Sequence, residues 1–92
     1  MKTIYKYDLA PINDRIQVGM PKGAVILSVG SQSGAELVCW ARVDTNEPKK
    51  IRQFRIVGTG HSLDNDDMAR LEFISTVQTP SGLVWHVYEQ IL

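Results

Sequence analysis

Apolar and polar residues alternate with a period of two along nearly every ordered stretch of this chain, and β-branched or aromatic residues fill the apolar positions. Successive side chains of an extended chain point to opposite faces, so this pattern predicts strands rather than helices. Tyr5, Tyr7 and Leu9 fall on one side of a first strand, which Pro11 stops from continuing as a paired central strand. Ile16, Val18 and Met20 mark a second strand ending at Pro21. After a Lys22-Gly23 turn, Val25, Leu27 and Val29 face one way and Ala24, Ile26 and Ser28 the other. A strand apolar on both sides is expected to be central and covered on both faces. Ser31-Gln32-Ser33-Gly34 then reads as a hairpin connection into Leu37, Cys39, Ala41 and Val43, which alternate with Glu36, Val38, Trp40 and Arg42. The two strands should pair antiparallel.

Asp44 to Lys50 carries no apolar residue and predicts a solvated loop. Ile51, Phe54 and Ile56 resume a strand, which empties into Gly58-Thr59-Gly60-His61. Ser62 to Asp67 offers a helix start, because Asp and Asn accept the orphan N–H bonds of a first turn. Leu71, Phe73, Ser75 and Val77 soon restore the period of two, so only a short turn is expected. Thr79-Pro80-Ser81-Gly82 is a strong turn signal before a last strand, where Trp85 and Val87 oppose Val84, His86 and Tyr88. The expectation is one all-β domain over residues 1–92, mainly antiparallel, folded as a compact β-sandwich or partly open barrel with at most one short helical turn. Its core should hold Val25, Leu27, Val29, Leu37, Cys39, Phe54, Ile56, Phe73, Val77, Trp85 and Val87.

A chain of 92 residues buries enough surface to fold, but only marginally, so self-association into a homo-oligomer is expected. Ten basic and ten acidic residues give zero formal charge, without the broad footprint of a duplex nucleic-acid binder. Cys39 is the only cysteine, which rules out an intramolecular disulfide and a cysteine-based zinc site and suits a reducing cytosol. The N-terminus lacks the apolar run of a secretory signal, and no apolar run, Ala24 to Leu27 included, is long enough to cross a bilayer. A cytoplasmic protein without membrane contact is expected.

His61 and His86 lack metal-ligand spacing, and Asp64, Asp66 and Asp67 lack the alternation of a calcium loop, so no metal or other cofactor is expected. Thr59, His61 and Asp64 are the only tempting nucleophilic trio, and adjacency in sequence is not triad geometry. The expectation is therefore no catalytic residue and no enzyme. An anion site has more behind it. Gly58, Thr59 and Gly60 can present N–H groups and a hydroxyl to a phosphate, and Lys49, Lys50, Arg52 and Arg55 lie just before them. His61 follows as a ligand contact, and Trp40, Trp85 and Tyr88 are aromatic partners for a base. The candidate ligand-binding set is Arg52, Arg55, Gly58, Thr59, Gly60, His61, Trp40 and Tyr88. Against it stands the plainer reading of a tight bend after a solvated lysine tip.

Five blocks carry a resemblance: Met1 to Tyr7, Met20 to Val29, Trp40 to Asp44, Phe54 to His61 and Trp85 to Glu89. Together, from end to end, they resemble a family of small proteins encoded by tailed bacteriophages and prophages. The resemblance implies a non-catalytic protein that counters bacterial host defence. On that basis the leading expectation is a homo-oligomer that sequesters a nucleotide-like immune signal, such as a cyclic nucleotide. The alternative is a protein-binding inhibitor of a host defence complex, anti-CRISPR-like, or an accessory phage protein.

Overall fold

Alternation becomes architecture through seven strands among the described residues: β1 (Lys2–Asp8), β2 (Arg15–Pro21), β3 (Val25–Gln32), β4 (Glu36–Asp44), β5 (Lys49–Gly58), β6 (Leu71–Gln78) and β7 (Val84–Gln90). The structure is a computed structural model that describes residues 1–9, 14–32, 36–63 and 70–91. The strands form a three-stranded sheet in the order β1-β4-β3 and a four-stranded sheet in the order β2-β5-β7-β6, all neighbours antiparallel. The two sheets pack face to face and do not close into a barrel, so the sandwich is the architecture realised. No helix occurs among the described residues, and none is long and apolar enough to cross a membrane. Most of the segment expected to start a helix, Asp64 to Asp67, lies outside the described residues.

Turn chemistry sets the connections. In Pro21-Lys22-Gly23-Ala24 the Ala24 N–H donates to the Pro21 carbonyl at 3.1 Å, and Gly23 supplies the φ of +83° that the bend needs. Between β6 and β7 the Thr79 N–H donates to the Leu83 carbonyl at 2.8 Å, with Gly82 at φ +90°. After β4, the Asn46 N–H donates to the Asp44 carboxylate at 3.0 Å, and this bond, with help from the N-terminal ammonium, holds the Asp44 carboxyl below its ordinary range.

The layer between the sheets is built from one face of each. Leu37, Cys39, Ala41 and Val43 from β4 share a buried cluster with Phe54 and Ile56 of β5, Val77 of β6 and Val87 of β7. Leu9, Met20, Ala24 and Val29 complete it, and Trp85 packs against it half-buried.

Three expected core residues lie outside. Val25 is 43% exposed, Leu27 47% and Phe73 55%. The expectation that β3 is central is overturned by the same finding: β3 is an edge strand, paired only with β4. Its register to β4 shifts between Ile26 and Ser28, so the period of two breaks at Leu27, while Ile26 and Val29 stay with the core. A matching irregularity between Phe73 and Ser75 places Ile74 against the core and leaves Phe73 outside.

These two leucines separate burial from mere apolarity. Leu37→Ala, at a site with no exposure, is expected to lower the unfolding free energy by about 3 kcal/mol in urea titration, and Leu27→Ala by less than about 1 kcal/mol.

Candidate functional site

β5 and the loop that follows it hold six of the eight candidate residues, and the alternation divides them between two faces. Phe54 and Ile56 point into the core, so Arg55, Val57 and Thr59 fall on the outer side of the four-stranded sheet. On β7, opposite Arg55 and Val57, stand Tyr88 and His86, and on β6 Phe73 and Thr76 oppose those two in turn. The outer face thus assembles a patch from three strands. His86 is held at both ring nitrogens, by Thr59 Oγ1 at 2.8 Å from Nε2 and by Thr76 Oγ1 at 2.9 Å from Nδ1. A neutral imidazole donates through one nitrogen and accepts at the other, and each hydroxyl can take either role. Beside it the Phe73 and Tyr88 rings meet edge to face, with centroids 5.4 Å apart.

The glycine loop is less open than its composition suggests. The His61 N–H donates to the Gly58 carbonyl at 3.0 Å, and the Thr59 N–H to the Val84 carbonyl at 3.3 Å. The Thr59 N–H of the expected phosphate cradle is therefore engaged within the chain, as is the N–H of His61 that follows it. Gly60 adopts φ +88°, a left-handed value that suits glycine. Gly58 is needed for a different reason: a Cβ there would lie 2.8 Å from Cε1 of His61, whose ring covers the glycine. The same ring meets Trp85, the cross-strand partner of Gly58, edge to face at 6.4 Å. Trp85 Nε1 is buried there without a hydrogen-bond partner.

The cations are committed elsewhere. Arg52 shares the inner face with Phe54 but lies six residues from Gly58, about 20 Å along the strand. Its Nε and Nη2 donate to both carboxylate oxygens of Glu89, the latter at 2.7 Å, and Nη1 donates to the Ala24 carbonyl. That carboxylate raises the guanidinium pKa above its ordinary value. Arg55 is 2% exposed, and its Nε and Nη2 each lie 3.1 Å from Asp14 Oδ1. Trp40 belongs to the other sheet, where Leu37, Cys39 and Ala41 face the core and the indole lies on the outer side, over Gly30. Trp40 and Tyr88 consequently occupy opposite outer faces of the sandwich and cannot hold the same base within one chain.

Of the eight candidates, the structure brings together Arg55, Thr59 and Tyr88 on one outer face, with Gly60 at its end. Arg52, His61 and Trp40 lie away from that patch, and Gly58 faces inward beneath His61. Phe73, Thr76 and His86 were missed as patch residues. His86 and Tyr88 are two apart and so share a strand face, a signal the sequence contains, but joining them to Thr59 and Thr76 requires the strand register. Cys39 is fully buried, and burial pushes its thiol up to about 11, so it stays protonated at neutral pH.

The chain belongs to the family described as Domain of unknown function (DUF7352), which spans residues 1–92. No curated protein and no solved structure matches it.

Two substitutions test this geometry. Gly58→Ala should drive the exposed His61 ring away, moving its ring-proton NMR signals as it leaves Trp85, while unfolding free energy changes by less than about 1 kcal/mol. Glu89→Ala strands the Arg52 guanidinium at 16% exposure and is expected to cost about 2–3 kcal/mol in denaturant unfolding, with Glu89→Gln milder.

Proposed function

We propose that this protein is a non-catalytic binder of a phage type, acting in the host cytoplasm as a homo-oligomer that sequesters a nucleotide-like immune signal. The observation that carries the ligand half is the outer patch of the four-stranded sheet. Phe73 and Tyr88 offer a π surface for a base, since stacking accepts any base. His86 lies two residues from Tyr88 on the same strand face, about 7 Å away. With its two nitrogens taken by Thr59 and Thr76, the imidazole fixes both hydroxyls where a phosphate or ribose would meet them. Arg52 drops out of the ligand set because Glu89 and Ala24 already take its donors. Trp40 enters only if the outer face of a second copy is brought to the patch. The resemblance to small proteins of tailed phages supplies the counter-defence context.

A second reading, a protein-binding inhibitor of a host defence complex or an accessory phage protein, is favoured by apolar surface. Phe73 and Ile51 are each 55% exposed on a chain of zero formal charge.

Thermal unfolding with a panel of cyclic dinucleotides and cyclic ADP-ribose species tests the first reading. A ligand at about 100 times its Kd adds about 2.7 kcal/mol, which in a chain of this size raises Tm by at least about 10 °C. Tyr88→Ala and His86→Ala should abolish that rise. If the whole panel gives neither a melting shift nor heat by calorimetry, sequestration is wrong; a stoichiometric host protein in pull-down would then favour the second reading.

A further inference from the structure

Four of the seven strands are sheet edges: β1 and β3 of the smaller sheet, β2 and β6 of the larger. An edge strand presents backbone groups that can pair with another chain, and natural proteins blunt such edges with charges and prolines. β1 carries Lys2, Lys6 and Asp8, β2 carries Arg15 and Pro21, and β6 carries Glu72. β3, with the sequence VILSVGSQ, carries neither a charge nor a proline. Its one blunting device is the bulge at Leu27, and that bulge leaves Leu27 and Val25 about half exposed. Beside β3, between it and β6, runs a groove of about 710 Å³ that also takes in Phe73 and Ile91, 55% and 45% exposed.

We propose that β3 is the interface with a second copy of this chain, pairing antiparallel with β3 of that copy across a twofold axis. The two three-stranded sheets would then run on as one sheet of six strands. A twofold axis sets residue i of the strand against residue j of the copy and j against i, so a charge near the axis meets its like on the facing strand, and a charge elsewhere on the edge loses water there. β3 is the one described edge strand that meets its copy with no such charge. The groove lining also holds one exposed cation, Lys50, and one exposed anion, Glu72, so the surround is neutral and suits its own copy. Eight residues make a strip about 26 Å long. Against a molecular thickness of 18 Å that edge projects on the order of 470 Å² per partner, close to the roughly 1,000 Å² in total that a specific interface needs. Pairing at an edge leaves the outer face of the four-stranded sheet open except at Phe73, which also lines the groove. The inference rests on the homo-oligomer part of the function proposed above and is independent of its ligand.

Sedimentation equilibrium of the full chain, free of nucleotide and at high micromolar concentration, tests it. The expected mass is twice the 10.3 kDa of one chain. Leu27→Lys should give a monomer with an unchanged circular dichroism spectrum, because the position is exposed, while Ile4→Lys on β1, at 57% exposure, should leave the dimer intact. A monomeric wild type overturns the inference, including one that carries a foreign protein across Leu27. So does a Leu27→Lys variant that stays dimeric, or an Ile4→Lys variant that dissociates. A dimer that binds no nucleotide overturns sequestration alone, and a monomer that binds one overturns the β3 interface alone.

Discussion

The apolar row Leu37, Cys39, Ala41 and Val43 on β4 is the constraint on which the sandwich depends. It is the inner face of the central strand of one sheet, and it shares a buried layer with Phe54, Ile56, Val77 and Val87 of the other. A slip of one residue would turn Trp40 and Arg42 into that layer and the row out to solvent, so burial fixes register. The small side chains of Cys39 and Ala41 leave volume in a layer that must also hold Phe54. Both neighbours of β4 then follow: β1 and its hairpin partner β3 are held in the register β4 dictates.

At the open end of the sandwich, apolar burial gives way to one polar clamp. Arg52 binds Glu89 of its neighbouring strand and the carbonyl of Ala24, which precedes β3 of the opposite sheet. The guanidinium thus ties the two sheets together. Arg55 is taken up by Asp14 on the other face. The two arginines that look like anion ligands in the sequence serve structure instead, and the polar character of the outer patch comes from hydroxyls and an imidazole.

This division matters for function. The patch around His86 and Tyr88 lies on a sheet face, and the uncharged strand β3 lies on a sheet edge. The proposed ligand patch and the proposed interface thus lie on different surfaces that meet at Phe73.

The sequence by itself determined the class of fold. Alternation over Leu37 to Val43 and over Trp85 to Tyr88 specifies strands and their inner faces, because side-chain direction in an extended chain depends only on position. Gly23 and Gly82 mark turns for an equally local reason, the positive φ that other residues resist. Tertiary structure decided what alternation cannot encode. Bulges at Leu27 and near Ile74 broke the period and moved Leu27 and Phe73 outward, since a bulge is set by how two strands meet. The glycine loop reads in sequence as a cradle, yet the Thr59 and His61 N–H groups are engaged by Val84 and Gly58, and Gly58 is covered by the His61 ring. The patch that replaces it joins residues 59, 73, 76, 86 and 88, and only strand pairing, a long-range choice driven by burial of the shared core, places them side by side.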